Sequence, residues 1–184
     1  MTTKTDLITV ITEDHRAVER VFAELEQQPH ADNRKDLTDH VIAELVRHSV
    51  AEEQYMYPAA REHLQDGDHI ADHEIEEHAE AEKVMKQLER KEPGDAEFET
   101  LLEKLIADVR HHIEDEEHDL LPRLQAACTA EELARLGGQV LAAKKSAPTR
   151  PHPAAPDKPP ANRLLAPGAA FIDKIRDTLS GRQT

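Results

Sequence analysis

The sequence predicts an all-α protein: an up-down-up-down antiparallel four-helix bundle, followed by a fifth helix and a proline-rich C-terminal extension. Three observations support this fold class. Apolar residues recur at spacings of three and four along four long segments, which is the periodicity of helices that bury one face. No segment shows the alternation with period two that is typical of strands. Proline or glycine interrupts the pattern near residues 28–32, 65–68 and 91–95, so short loops are expected between the helices.

Each of the four segments predicts one inward-facing stripe. The first stripe is Ile8, Ile11, His15, Val18, Phe22 and Leu25, and the second is Leu37, Val41, Leu45, His48, Glu52 and Tyr55. The third is Ile70, Glu74, His78, Ala81, Met85 and Leu88, and the fourth is Phe98, Leu102, Leu105, Val109, His112 and Glu116. Every predicted inward face therefore carries a histidine, and three of them also carry a carboxylate one turn away.

Three further elements are predicted after the bundle, which we assign to residues 1–128. Thr129 and Glu132 form a capping-box pattern that begins an additional helix over residues 129–146. Residues 147–168 hold seven of the eleven prolines and are expected to form an extended connector. Residues 169–184 are expected to form a short amphipathic helix and tail, with one apolar side made of Phe171, Ile172, Ile175 and Leu179.

Composition limits the partners that this chain can have. With 23 basic and 38 acidic residues the net charge is -15, which opposes binding to nucleic acid or to anionic lipid. No apolar run is long enough to span a membrane. The single cysteine, Cys128, and the lack of a secretion signal predict a cytoplasmic protein. The last 41 residues carry eight basic and three acidic groups, so the tail either folds back on the acidic bundle or docks on an unknown protein partner.

An internal repeat relates the second and fourth segments. A histidine, two consecutive glutamates and a proline keep the same offsets in two copies, His48, Glu52, Glu53 and Pro58, then His112, Glu116, Glu117 and Pro122. His15 precedes the first copy by 33 residues, and His78 precedes the second by 34. Two similar halves predict a site with approximate twofold symmetry.

The repeated residues favour a pair of metal ions. Residues four apart share one helix face, so the histidine and first glutamate of each copy project together into the bundle. Burying two carboxylates and four imidazoles without a countercharge would cost several kcal/mol each. Imidazole with bridging carboxylate suits iron. We therefore expect two Fe ions, spanned by Glu52 and Glu116 and completed by solvent or by an oxo or hydroxo bridge. Each ion would take two terminal histidines, namely His15 with His48 and His78 with His112.

Some neighbouring residues are candidates for additional ligands. Glu74 lies one turn before His78, and Tyr55 lies one turn beyond Glu52. His73 could reach the site only if its helix were distorted. For Glu53 and Glu117, which follow the bridging glutamates, we favour a solvated helix face over contact with a histidine.

The motifs His15, His48-x3-Glu52, His78 and His112-x3-Glu116 resemble those of the hemerythrin family, specifically the bacterial hemerythrin-like proteins with the HHE cation-binding domain. The resemblance covers roughly residues 5–127. It implies a four-helix bundle with a non-heme di-iron centre that binds dioxygen or reacts with peroxide or nitric oxide.

This chain departs from the oxygen-carrying members of that family. They have His-x3-His on the third helix and His-x4-Asp on the fourth, where this chain has Glu74-x3-His78 and His112-x3-Glu116. One nitrogen donor is thus exchanged for an anionic oxygen donor, which stabilises ferric iron and disfavours reversible oxygen carriage. Some relatives also bring a tyrosine to the iron. Tyr55 has the better helical phase here, whereas Pro58 disturbs the preceding turn and could bring Tyr57 in instead.

The function expected from these features is reaction with a small oxidant (O2, H2O2 or NO), with catalase-like peroxide chemistry first. The metal ligands are the only groups expected to take part in catalysis. Two alternatives are open. One is a sensor or binding protein for O2 or NO, and the other is an iron storage or buffering protein.

Overall fold

The computed structural model describes residues 5–30, 32–155 and 161–180. In these ranges the chain is helical and contains no β-strand. The α-helices are α1 (Leu7–Gln27), α2 (Arg34–Ala51), α3 (Tyr57–His63), α4 (Gly67–Leu88), α5 (Phe98–Asp115), α6 (Leu121–Ala127), α7 (Ala130–Ser146) and α8 (Ala161–Ser180). None of these helices combines the length and the apolar character that crossing a bilayer requires.

Two π-helical turns join consecutive helices into longer rods. Glu52–Met56 connects α2 to α3, and Glu116–Leu120 connects α5 to α6. The four rods α1, α2–α3, α4 and α5–α6 form the predicted bundle, so the fold class is confirmed.

The prolines of the internal repeat explain where the π-helical turns lie. Pro58 and Pro122 each come directly after the first residue of the α-helix that follows a π-helical turn. A proline has no N–H to donate and clashes with the carbonyl four residues earlier, which favours a wider turn. Accordingly, the N–H of Tyr57 bonds the Glu52 carbonyl, and the N–H of Leu121 bonds that of Glu116.

Two apolar clusters fill the bundle on either side of a buried polar layer. The first cluster includes Leu7, Ile11, Met56, Leu121 and Leu136, and the second includes Phe22, Ile42, Met85, Phe98 and Leu105. On α1, for example, His15 lies between Ile11 in the first cluster and Val18 in the second. The polar layer therefore lies between the two apolar clusters.

The additional helix α7 packs along α1 and α2. Its predicted capping box is present, because the Thr129 hydroxyl accepts the Glu132 N–H at 3.2 Å and the Glu132 carboxylate accepts the Thr129 N–H at 2.8 Å. Gly137 allows a close crossing with the start of α1. A Cβ added there would lie 2.7 Å from the carbonyl oxygen of Thr5.

The paired glycines of α7 give a prediction for stability. Gly137→Ala is expected to lower the free energy of unfolding by about 1–3 kcal/mol, because its Cβ would collide with the backbone of α1. Gly138→Ala is the matched control, since a Cβ there meets nothing within 4 Å, and it should raise stability by up to about 1 kcal/mol. Urea denaturation of both variants checks this. Equal stabilisation by the two would contradict the close crossing.

The C-terminal extension differs from its prediction. The last helix begins at Ala161 rather than at residue 169, and Pro167 lies inside it, because proline's fixed φ is compatible with a helix that gives up one hydrogen bond. Of the predicted apolar side, Ile172 is 53% exposed. The side chains of Phe171, Ile175 and Leu179 lie outside the described residues.

The extension is held to the bundle by polar contacts. Arg150 lies 2.7 Å from Asp177 of α8 and 3.3 Å from Glu89, directly after α4. Lys86 donates to the carbonyl of Pro151 at 3.1 Å. The described part of the basic tail thus folds back on the acidic bundle, which is one of the two arrangements expected from the sequence.

Candidate metal centre

The buried polar layer contains all six residues that the sequence predicts as metal ligands. They come from all four rods, and none is more than 7% exposed: His15, His48, Glu52, His78, His112 and Glu116. Both glutamates are completely buried. Carboxylates are almost never fully buried unless they are paired, so this layer requires positive charge.

Each of the two glutamates lies between a histidine of one half of the repeat and a histidine of the other. Glu52 is 3.0 Å from His48 Nε2 and 3.4 Å from His78 Nε2. Glu116 is 3.3 Å from His15 Nε2 and 3.6 Å from His112 Nε2. The four Nε2 atoms therefore point inward at two carboxylates that can span two cations.

Donor atoms gather into overlapping groups in which they all lie within 4.8 Å of one another. These groups are His15 with His48, Glu52 and Glu116, then Glu52 with His78 and His112, and finally Glu74 with His112 and Glu116. The two glutamates of the repeat are shared between groups, which is the arrangement expected for neighbouring cations bridged by carboxylates.

Each outward-facing Nδ1 atom contacts a carboxylate. The four pairs are His15 with Glu117 at 2.8 Å, His48 with Asp14 at 3.4 Å, His78 with Glu53 at 3.1 Å and His112 with Glu77 at 2.9 Å. A carboxylate that accepts a hydrogen bond places the imidazole proton on Nδ1. Nε2 is then left with its lone pair directed into the centre, as metal-binding histidines require.

These contacts correct the prediction for Glu53 and Glu117. Glu53 is only 9% exposed and bonds His78, and Glu117 bonds both His15 and Arg16. Consecutive residues of a regular α-helix point about 100° apart, so only the first glutamate of each pair was expected to face inward. The π-helical turn that begins at that glutamate widens the helix, and both glutamates reach histidines.

The same π-helical turn reverses the expected order of the two tyrosines. Tyr57 is completely buried, and its hydroxyl lies 3.0 Å from Glu116 Oε1 and 3.0 Å from His78 Nε2. Tyr55 is half-buried and packs against the first apolar cluster. A five-residue turn from Glu52 reaches Tyr57, whereas the α-helical phase on which the prediction relied points to Tyr55.

Of the other two candidate ligands, Glu74 lies at the centre and His73 lies outside it. Glu74 is buried, and it forms a group with His112 and Glu116 in which donor atoms lie within 4.8 Å of one another, so it borders the centre. The His73 side chain is 52% exposed and lies 3.6 Å from Glu77. Because α4 continues as a regular helix past this point, His73 stays outside the centre.

Electrostatics show how strongly the centre attracts positive charge. Burial alone would lower the pKa of His48, yet the charges of Glu52 and Asp14 raise it to about 10. For His78, burial is likewise outweighed, and bonds to Glu52 and Glu53 raise the pKa to about 9. Burial would raise the pKa of Glu52, but the two histidines hold it well below its usual value. The carboxylates thus stay charged and draw protons or other cations.

Buried polar atoms that lack a well-aligned hydrogen bond test whether metal ions fit this layer. Among the described residues, four buried atoms of the layer make no well-aligned hydrogen bond, although each lies 2.9–3.3 Å from an imidazole nitrogen or a carboxylate oxygen: His15 Nε2, Glu52 Oε1, Glu74 Oε2 and Glu116 Oε2. Each such atom costs about 1–3 kcal/mol if it is left without a partner. Cations at the centre would satisfy all four. The donors are imidazole nitrogens and carboxylate oxygens without thiolate, a set that suits iron.

The carboxylates on Nδ1 lead to a prediction for metal affinity. Glu53→Ala and Glu117→Ala should each weaken iron binding about 10–100-fold, because His78 or His15 loses the group that orients its ring. Competition with a ferrous chelator measures the affinity. Glu103→Ala, at an exposed position of α5, should leave it unchanged. Equal affinity in all three variants would contradict an orienting role.

Comparisons with known proteins identify the family to which this chain belongs. Residues 6–124 match the hemerythrin HHE cation-binding domain. An uncharacterized hemerythrin-like protein of Schizosaccharomyces pombe is 29% identical over 170 residues, which are 92% of this chain and 84% of that protein. A Nostoc protein named as a DNA nickase is 26% identical over 135 residues, which are 73% of this chain but only 38% of the relative.

A solved structure gives the same architecture. The crystal structure of a hemerythrin HHE cation-binding domain-containing protein from Mycobacterium kansasii aligns with a TM-score of 0.66 at 21% identity, over 76% of this chain and 85% of that chain. At this identity the likeness concerns the fold, whereas the domain match covers the four rods and the polar layer between them. This chain belongs to the hemerythrin HHE cation-binding domain family.

Proposed function

We propose that this protein is a non-heme di-iron protein that reacts with a small oxidant, and that hydrogen peroxide is the first candidate. The observation that supports it is the layer in which two buried glutamates each lie between histidines of both halves of the repeat. His15 and His48 would hold one Fe ion and His78 and His112 the other, and Glu52 and Glu116, which lie between these histidines, would supply carboxylate oxygens. Tyr57 and Glu74, which lie near His78 and His112, would be further oxygen donors.

Residues around the four histidines orient the imidazole rings and hold a proton near the centre. When bound, the two irons supply one-electron steps at coordination positions that an oxidant can reach. Glu53, Glu117, Asp14 and Glu77 hold the four imidazole rings in place through Nδ1. The Tyr57 hydroxyl donates to Glu116, so it holds a proton beside the bridging carboxylates.

Peroxide chemistry is favoured over reversible oxygen carriage by the number of oxygen donors. Glu52, Glu74, Glu116 and the Tyr57 hydroxyl meet at one layer, and anionic oxygen ligands stabilise the ferric state. Reversible carriage needs a stable ferrous pair. The chain spans only 38% of the Nostoc DNA nickase and carries a net charge of -15, so that relative's named activity is not part of this proposal.

A second candidate function, sensing of O2 or NO, is favoured by one contact outside the four rods. Lys144 of α7 donates to Asp14 at 2.6 Å, and Asp14 contacts His48 at 3.4 Å. A change at the metal centre would therefore reach the helix that precedes the C-terminal extension.

Metal content and the ultraviolet-visible spectrum of the purified protein, with and without peroxide, test the proposal. We expect two Fe per chain, a spectral change on adding peroxide, and gas evolution. A reversible change with O2 or NO and negligible peroxide turnover would favour sensing instead. Ready iron loss to a chelator without redox activity would indicate buffering, and a protein that takes up no iron would overturn the proposal.

A further inference from the structure

A cavity of about 370 Å³ leads from solvent to the candidate metal centre. All four histidines of the centre line it: His15, His48, His78 and His112. The two bridging glutamates and Tyr57 do not line it. The cavity thus opens on the histidine side of the centre, where a ligand would enter, while the glutamates and the tyrosine remain enclosed by protein.

The cavity is much larger than a small oxidant needs. A water molecule occupies about 30 Å³ in the liquid, and H2O2 or O2 has only two heavy atoms. A volume of about 370 Å³ lies instead within the ~300–1,000 Å³ range of sites that hold organic small molecules.

The walls of the cavity favour an apolar occupant. Apart from the histidines, the inner lining is formed by apolar side chains from all four rods, namely Val18, Leu45, Ala81, Met85, Val109 and Ile113. Water has few hydrogen-bonding partners along such a wall, so replacing it with an apolar group is favourable.

Charges among the lining residues indicate a neutral molecule rather than an anion. Acidic residues on α4 and α5 line the cavity, namely Glu76, Glu77, Glu80 and Asp108. Among the residues that line the cavity, Lys104 is the one lysine or arginine, and it is paired with Asp108 at 2.7 Å. These lining residues therefore offer a carboxylate ligand, such as a fatty-acid anion, no lysine or arginine without an acidic partner.

We propose that this cavity binds neutral organic hydroperoxides, with the apolar body against Val18, Leu45 and Val109 and the hydroperoxide group facing the histidines. This inference rests on the proposed function and names its substrate class. In one turnover the O–O bond breaks, one oxygen stays on carbon as an alcohol, and the other leaves as water. Two protons would come from solvent, and two electrons would come from two ferrous ions, which a thiol or ascorbate added to the medium would reduce again for the next turnover.

Binding is tested separately from redox chemistry with cumyl alcohol, the inert reduction product of cumene hydroperoxide. The full-length, iron-loaded protein should bind this alcohol saturably in calorimetry or ligand-observed NMR. Ala81→Phe places a ring in the cavity and should weaken binding at least tenfold. Ala81→Leu, a smaller change, should weaken it by an intermediate amount if the phenylalanine variant folds poorly. Ala142→Phe, at an exposed position of α7, is the matched control and should bind as the unchanged protein does.

Rates with two oxidants provide the second measurement. Ala81→Phe should lower the ratio of the cumene hydroperoxide rate to the hydrogen peroxide rate at least tenfold, whereas Ala142→Phe should leave that ratio unchanged. Saturable, Ala81-dependent binding of the alcohol without any peroxide reaction would support the cavity while defeating the proposed function. Reaction with hydrogen peroxide but no binding of the alcohol, or binding equal in all variants, would overturn this inference alone.

Discussion

The double variant His48→Ala, His112→Ala is expected to lose iron and to melt at least about 10 °C below the iron-loaded protein. Each substitution removes one imidazole that contacts a fully buried glutamate, 3.0 Å away for His48 and 3.6 Å away for His112. A ligand present at a thousand times its dissociation constant stabilises the folded state by about 4 kcal/mol. In a domain of this size, each kcal/mol shifts the melting temperature by roughly 2–4 °C. Iron analysis and thermal denaturation monitored by circular dichroism check both parts of the prediction.

A matched control separates this effect from the loss of two histidines as such. His40→Ala, His118→Ala changes two exposed histidines of the same helical rods and should keep both iron and melting temperature. Chelation of iron from the unchanged protein should reproduce the lower melting temperature without any substitution. If chelation left the melt unaltered, the metal would not be what stabilises the polar layer. If the double variant kept its iron, the assigned ligands would be wrong.

The sequence was sufficient to predict the four rods and the histidines at their centre. Periodicity places His15 between Ile11 and Val18, and the structure buries all three on one side of α1. The capping box at Thr129 and the end of α7 at Ser146 also agree with the structure. These features depend on local patterns, namely helical phase and capping chemistry, which a single sequence displays directly.

The π-helical turns were not predictable from helical phase, and they account for both errors at the centre. Counting in steps of 3.6 residues puts Tyr55 inside and Glu53 outside, whereas the structure encloses Tyr57 and bonds Glu53 to His78. The signal was present in Pro58 and Pro122, each six residues beyond the bridging glutamate of its copy. A proline widens the preceding turn, but its sequence position alone does not say how the turn is rearranged.

The orienting carboxylates show a second regularity that the repeat already contained. Asp14 directly precedes His15 and bonds His48, and Glu77 directly precedes His78 and bonds His112. An acidic residue thus precedes the first histidine of each half and orients the second. Extending the repeat by one position toward the N terminus would have found both residues. Lys144, in contrast, reaches Asp14 from α7, and only the packing of that helix reveals the contact.

Tyr57→Phe is expected to remove a visible phenolate-to-iron absorption band from the ferric protein, whereas Tyr55→Phe should keep it. Burial raises the pKa of Tyr57 well above its usual value, and the charges of Glu116 and Glu52 raise it further. The hydroxyl therefore keeps its proton unless metal cations offset those carboxylates, so the band should depend on iron. Absorption and resonance Raman spectra of the two variants distinguish the tyrosines.

Stability gives an independent measure of the same hydroxyl. In Tyr57→Phe the Glu116 oxygen that it contacts at 3.0 Å loses a donor inside the protein, which should cost about 1–3 kcal/mol in the metal-free state. Tyr55→Phe changes a half-buried side chain at the edge of the first apolar cluster and should cost less. A band that disappeared with Tyr55 and persisted without Tyr57 would mean that iron binding restores the regular helical phase. The π-helical turn would then belong to the metal-free protein alone.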